Sequence, residues 1–340
     1  MQTTFSDIEY GNRKKKTRKE TFFEQMEQIM PWSEIYDIIL PYYDTGANKH
    51  GGRKKIPLET MTRMYLVSNW FTLSDPATED EIYDSYAMRS FVGVNFNDKS
   101  KQVPDETCLC NFRHLLEEHK LGKKIEEMVA KKLDECGLIM HGGTIVDAMI
   151  QVAAKSTKNK NKERDPEMAS TKKGRNYYFG SKLHIGVDAG TGYIHSHTTT
   201  AANVHDVAQA HKLIREDDEI VSGDSGYLGL EKREEIINDP KLANKKYEMV
   251  KRPSRLKKYK GFLGETVAKP WEKKIEHPII SRRQKVEYPF HVIKNIFGYQ
   301  KNRYKGIAKN DNKNCVICAL TNLYMVAKAG RNFEPLPLVG

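Results

Sequence analysis

Gly143-Thr144-Ile145-Val146-Asp147-Ala148-Met149-Ile150 is a short apolar run broken by one carboxylate. Its length and β-branched residues suit a buried strand. The aspartate is out of place there. Strands are depleted in aspartate, and a buried charge is costly unless it is paired or holds a metal. Downstream, Leu183, Ile185 and Val187 alternate with Lys182, His184 and Gly186, the period of a strand. Asp188-Ala189-Gly190-Thr191-Gly192 is a turn, and Tyr193 to Thr200 is the returning strand. Helical spacing resumes at Val207, Ala208, Ala210, Leu213 and Ile214. Glu219-Ile220-Val221-Ser222-Gly223 is a further buried strand with Asp224 at its end. This order of elements specifies an α/β domain with a mixed sheet.

Upstream the texture is helical. Pro57 starts one helix, with Leu58, Met61, Tyr65 and Leu66 at helical spacing. Asp75-Pro76 is read as an N-cap and first-turn proline. Asp105 caps a third helix carrying Leu109, Phe112, Leu115 and Leu116, with Gly122 as its expected stop. A fourth carries Ile125, Met128, Val129, Leu133 and Cys136 and ends at Gly137. Short helices with basic side chains outward suit DNA binding as well as a plain bundle. The expected organisation is a basic flexible tail (1–20), a helical N-terminal DNA-binding domain (21–138), a catalytic domain (139–330) and a C-terminal tail (331–340).

The chain has 340 residues and a formal net charge of +11, a balance that favours acidic partners, nucleic acid foremost. No signal peptide is evident, and the apolar stretch Cys315 to Ala327 is too short for a bilayer, so no membrane partner is expected. The odd number of cysteines (Cys108, Cys110, Cys136, Cys315, Cys318) fits a reducing cytoplasm. Cys315 and Cys318 have the spacing of half a zinc site, but no matching pair exists, so they read as buried helical cysteines. His195 and His197 form a strand pair without evident partner ligands. Asp206 reads equally as a helix cap or a functional group.

Three carboxylates carry the chemical reading. Asp224 lies in Gly223-Asp224-Ser225-Gly226-Tyr227, where flanking glycines give backbone freedom, and strand ends are where α/β sheets place ligands. Glu287 shares one helical face with Arg283, His291 and Lys294. Separately, Asp147 is a strand residue, Asp224 a turn or cap, and Glu287 a surface partner of Arg283. Together, three carboxylates can hold two divalent cations ~3.5–4 Å apart, which activate a water or a 3′-hydroxyl at a phosphodiester. Mg²⁺ suits such oxygen ligands, with Mn²⁺ as a substitute.

The pattern resembles the insertion-sequence "five" family of bacterial DDE transposases over roughly residues 22–328. Gly52-Arg53, Ile56-Pro57-Leu58-Glu59-Thr60-Met61, Leu73-Ser74-Asp75-Pro76 and Ser90-Phe91-Val92-Gly93 are similar to the start of its N-terminal domain. Pro104-Asp105-Glu106-Thr107 with Asn111-Phe112-Arg113-His114-Leu115-Leu116 is similar to its second signature. Val146-Asp147-Ala148, Thr200-Ala201-Ala202-Asn203-Val204-His205-Asp206 with Gly223-Asp224-Ser225-Gly226-Tyr227, and Arg283, Glu287 and Lys294 resemble its three acidic blocks. Ile280 stands where the family has a tyrosine.

The resemblance implies an RNase H-like mixed-sheet catalytic domain, preceded by an all-helical DNA-binding domain. In that sheet the first and fourth strands are neighbours, so Asp147 and Asp224 would bridge the metals, with Glu287 completing one shell. Arg283 and Lys294 would hold DNA phosphates. Pro289 should kink or bound the glutamate helix. The implied activity is Mg²⁺-dependent cleavage at terminal inverted repeats and strand transfer into target DNA. It would be carried out by a homodimer or larger assembly in the bacterial cytoplasm, at the nucleoid. A catalytically inactive, transposase-derived DNA-binding protein is the alternative, and a cellular RNase H-like nuclease a third.

Two basic runs lie beside these acids. Lys155 to Arg175 includes Lys172, Lys173 and Arg175, and Lys245 to Lys260 includes Lys251, Arg252, Lys257 and Lys258 with Tyr247 and Tyr259 interleaved. They are expected to contact double-stranded DNA at the transposon ends and target.

Overall fold

The computed structural model describes residues 12–44, 55–98, 101–158, 160–251, 264, 270, 274, 276–331 and 333. The chain divides into two compact units, residues 1–115 with 326–332, and residues 116–325 with 333–340.

The first unit holds α1 (Arg18–Ile29), α2 (Trp32–Ile39), α3 (Leu58–Trp70), α4 (Asp75–Asp84), α5 (Tyr86–Val92) and most of α6 (Glu106–Glu118). Thr17 and Glu20 form a capping box, so α1 starts inside the basic N-terminal run. Three cations of that run sit on carboxylates: Arg13 on Glu20, Lys16 on Glu24 and Lys19 on Glu81. Ser74, rather than Asp75, caps α4 by accepting from the Ala77 N–H, and Asp75 pairs instead with Arg113 at 3.0 Å. Asp105 caps α6 as expected, accepting from the Cys108 N–H at 2.7 Å. In the core, Phe23 stacks on Phe91 at 4.4 Å beside buried Met26 and Trp70.

The second unit opens with α7 (Leu121–Glu135). Lys120, in the left-handed region at φ 51°, makes the turn that Gly122 was expected to make. Gly122 lies inside α7, where a Cβ would come within 2.6 Å of Asn312. This glycine therefore serves close packing on the last helix.

The sheet comprises β1 (Gly143–Val152), β2 (Ala169–Lys173), β3 (Asn176–Asp188), β4 (Ile194–Ala201), β5 (Ile220–Gly223) and β6 (Lys246–Met249). The order is β2-β3-β1-β5-β6, with β4 also on β3. β1, β2 and β4 run antiparallel to β3, while β1/β5 and β5/β6 are parallel. A mixed sheet behind a helical segment is the expected architecture. β2 and β6 lie within the two basic runs and were not foreseen. Because β2 is inserted, the parallel neighbour of β1 is the fifth strand in chain order rather than the fourth.

One sheet face is sealed by Val146, Val221, Met249, Leu213, Tyr227, Leu230 and Ile236. The helix expected at Val207 is reduced to one turn, α8 (Asp206–Gln209), followed by a 3₁₀ turn that buries Ala210. Two further turns, α9 (Glu234–Ile237) and α10 (Pro240–Ala243), lead to β6. The glutamate segment is helical throughout but changes pitch. α11 (His277–Arg283) passes through a 3₁₀ turn (Gln284–Val286) into α12 (Glu287–His291), then into a π turn (Val292–Ile296). Pro289 lies within α12, where it offers no N–H to the preceding turn, and the changes of pitch flank it.

The chain closes with α13 (Ile307–Lys328), burying Val316, Leu320 and Leu323 as expected, along with Cys315 and Cys318. Asn322 on this helix accepts from the N–H and donates to the C=O of Ile194, at 2.9 and 2.7 Å. Among the described residues, no helix is long and apolar enough to cross a membrane.

Candidate active site

β1 and β5 pair in parallel with Val146 opposite Gly223. Asp147 and Asp224 are the next residues on each strand, so the two acids stand at one level of the sheet, Asp224 where β5 stops. Side chains alternate along β1, so Val146 enters the sealed face and Asp147 points to the other. Asp147 accepts from the Ala148 N–H at 2.7 Å and from Arg283 Nη2 at 2.8 Å. Asp224 accepts from the Gly226 N–H at 2.8 Å. Neither glycine beside Asp224 has a positive φ. Both sit instead where neighbouring side chains approach closely. A Cβ on Gly223 would lie 3.0 Å from Met249 Sδ and the Tyr227 ring, and one on Gly226 would lie 2.9 Å from Asp224 Oδ1.

Glu287 joins this pair through Arg283. One guanidinium nitrogen holds Asp147, and the other lies 2.6 Å from Glu287 Oε1, the i,i+4 pair read from sequence. Burial pushes the Asp147 carboxyl up to about 6; Arg283 and the Ala148 N–H oppose this, and the charge of Asp224 adds to it. Burial works against the Arg283 charge, but Asp147, Glu287 and Asp224 outweigh it and hold the guanidinium above its ordinary value. Lys294 lies 5.1 Å over the Phe290 ring. Burial, then Lys173, pulls its ammonium below the usual value, while Asp147 and Glu287 oppose.

A model of the transposase DDE domain matches residues 140–323, and one of a transposase domain known as DUF772 matches residues 11–115. The chain belongs to the DDE transposase family. Solved Mos1 complexes are similar to it at a low level. The Mos1 strand transfer complex is 11% identical, covering 77% of this chain and 83% of that one, with a TM-score of 0.19. The Mos1 transposase paired-end complex with the left transposon end is 10% identical, covering 88% and 92%, with a TM-score of 0.19. Likeness at that level carries no argument, and the family assignment stands on the domain matches.

Transposase DDE domains typically use divalent metal ions, and the donor set fits one. It is all oxygen, which suits a hard cation. Burial raises Asp147 to about 6 even with Arg283 bonded to it, so Arg283 only partly offsets the cost of holding this carboxylate charged in its buried place. The buried Tyr227 hydroxyl, which has no hydrogen-bond partner among the described residues, lies in the field of Asp147, Asp206 and Asp224.

Tyr227 closes the Gly223–Tyr227 motif, where no local pattern of the sequence marks it out. Asp206, which reads from sequence equally as a cap or a functional group, is the first residue of α8. It makes no capping bond and pairs with Lys182 Nζ at 2.9 Å, while that ammonium also donates to the Val204 carbonyl at 2.8 Å. The alternation Lys182-Leu183-His184 was the available signal.

Of the cations expected to meet DNA, Lys172, Lys173 and Arg175 are exposed at the β2–β3 turn, Lys172 lying 5.5 Å over the Tyr177 ring. The charge of Lys173 reaches Lys294. Lys251 lies 2.8 Å from Glu276, which neutralises it. Arg252, Lys257 and Lys258 lie outside the described residues.

Proposed function

We propose that this transposase binds the terminal inverted repeats of an insertion sequence of the "five" family, cleaves there to expose 3′-hydroxyls, and joins them to target DNA. The observation that carries the reading is the parallel β1/β5 register, with Asp147 and Asp224 side by side and Arg283 linking Asp147 to Glu287.

Asp147, Asp224 and Glu287 are the catalytic residues and would hold two Mg²⁺ ions. When bound, the metal lowers the pKa of a water or hydroxyl and stabilises the leaving oxygen of the phosphodiester. Arg283 orients Asp147 and Glu287 and, with Lys294, faces the DNA phosphates. The exposed Lys172, Lys173 and Arg175 extend that contact along the duplex, and the helical first unit reads the end sequence. Two ends must be held together for joining, so the active form is a dimer or larger assembly at the nucleoid.

The test is cleavage of DNA carrying the ends that flank the gene, with and without Mg²⁺, by the wild type and by Asp224→Asn. Metal-dependent cutting at the repeats, abolished by the substitution, is expected. Cutting that survives the substitution would place the chemistry elsewhere. Specific binding with no cutting would mark an inactive DNA-binding descendant.

A further inference from the structure

His197 on β4 meets side chains from two helices of the same unit: Glu126 from α7, and Asp311, Cys315 and Cys318 from α13. These are the partner ligands that were not evident in the sequence. The two ring nitrogens face different neighbours. Nδ1 lies 2.5 Å from Glu126 Oε1, and the ring donates that hydrogen bond. Nε2 lies 3.4 Å from Asp311 Oδ1 and 3.8 Å from Cys315 Sγ. The first is long for a hydrogen bond to a ring nitrogen, and the second lies at the outer end of the range for sulfur. They are close to the edges of a metal tetrahedron, since zinc bonds of about 2.0–2.2 Å to nitrogen or oxygen and about 2.3 Å to sulfur set ligand atoms ~3.3–3.6 Å apart.

Glu126 occupies the place that a carboxylate takes beside a metal-binding histidine: it holds the far nitrogen and fixes the ring and its tautomer. Asp311 and Cys315 are one helical turn apart and share a face of α13. The site is walled, with the His197 side chain 6% exposed, yet the Asp311 side chain is 44% exposed and leaves a way in for an ion. The other grouping, Glu126, His197 and Cys318, is less suited. Its 2.5 Å separation of Nδ1 and Oε1 suits a hydrogen bond rather than two ligands of one ion, and Cys318 is fully buried.

We infer that His197, Asp311 and Cys315 bind one thiophilic divalent metal ion, Zn²⁺ before others, with Glu126 as the positioning residue and water completing the shell. Imidazole and thiolate favour Zn²⁺ over Mg²⁺, so this site and the acidic triad draw on different metals. Binding exchanges the Cys315 thiol proton for the ion, and the proton goes to bulk water. The ion ties α13 to β4, and through Glu126 to α7, bracing the outer part of the sheet.

The test uses the full chain carrying Asp147→Asn and Glu287→Gln, which removes the triad as a competing binder and makes the outcome independent of the proposed catalysis. Co²⁺ is titrated in as the probe. The expected result is saturation at a single equivalent, with a thiolate-to-cobalt charge-transfer band that Zn²⁺ abolishes and excess Mg²⁺ does not. Cys315→Ser should lose the band, Asp311→Asn should weaken binding by more than the roughly 10–100-fold that loss of an outer-shell partner costs, and Cys318→Ser should keep the band. Added Zn²⁺ should raise the melting temperature of the triad variant. A folded triad variant with no charge-transfer band at saturating Co²⁺ overturns the inference. So does a band that survives Cys315→Ser and vanishes in Cys318→Ser. Should Cys315→Ser fail to fold, the band in the triad variant and the Asp311→Asn titration decide.

Discussion

Arg283 has two tasks at one guanidinium, pairing Asp147 at 2.8 Å and Glu287 at 2.6 Å. Burial has already brought the Asp147 carboxyl up to about 6, and Arg283 is the first influence pulling it down. Arg283→Gln therefore raises it further, leaving less of the ionised form that binds metal at a given pH. The acid limb of Mg²⁺-dependent cleavage should move to higher pH, and each tenfold loss at fixed pH reports about 1.4 kcal/mol. An acid limb that stays in place while DNA affinity falls would confine Arg283 to the phosphates. His195 gives a separate pH effect, on stability. The single proton of the Thr144 hydroxyl goes to Asp218, so His195 Nε2–H donates to Thr144 Oγ1 at 2.9 Å, and Nδ1 has no partner among the described residues. Burial, then the charge of Arg215, pushes the imidazole down to about 3. The unfolded chain takes up this proton below its ordinary value of 6.5 and the folded chain does not, so stability is complete above 6.5 and is lost as pH falls towards 3. The slope from this one residue is at most about 1.4 kcal/mol per pH unit. His195→Gln should flatten the melting temperature against pH in that window; an unchanged slope would show that His195 is not the group titrating.

At the scale of elements, the sheet is held to α13 by side-chain amides as much as by apolar packing. Asn322 satisfies both backbone groups of Ile194, and Asn314 bonds Gln151 and Thr199. Asn322→Ala leaves a buried N–H and C=O without partners and should cost about 2–4 kcal/mol, read as a lower denaturation midpoint with an unchanged m-value. A loss under about 0.5 kcal/mol would mean that water takes over both bonds. Such bonds explain what the sequence left illegible. Strands β1, β3 and β5 were readable because each carries an apolar pattern of its own, β4 because it returns from the Asp188–Gly192 turn, and the Arg283–Glu287 pair because it is local. β2 and β6 are short and polar, and pairing with β3 and β5 makes them strands. Gly122, Gly223 and Gly226 read as stops or hinges, but what they answer is the close approach of Asn312, Met249, Tyr227 and Asp224. The Lys182–Asp206 pair and the neighbours of His197 come from separate strands, helices and turns, and no spacing rule reaches across them. The acids themselves were legible because each breaks a local pattern.

At the scale of the molecule, a net charge of +11 does not say which cations meet DNA. Many are already occupied: Arg13, Lys16 and Lys19 sit on glutamates in the first unit, and Lys251 on Glu276 in the second. Lys172, Lys173 and Arg175 are exposed on a hairpin turn, and the charge of Lys173 is felt at Lys294 beside the acids. Each phosphate neutralised releases condensed counterions, contributing about 0.9 to the slope of log affinity against log salt. Replacing all three with alanine should therefore weaken binding to duplex end DNA and flatten that slope by about 2–3. Lys251→Ala should leave the slope unchanged, because its ammonium is already neutralised at 2.8 Å. Both follow from fluorescence anisotropy over a salt series. If the two variants flatten the slope equally, the Lys251–Glu276 pair opens on DNA and the basic run that follows β6 shares the backbone contact. If neither does, the duplex runs elsewhere, and the hairpin cations set only the local field around Lys294.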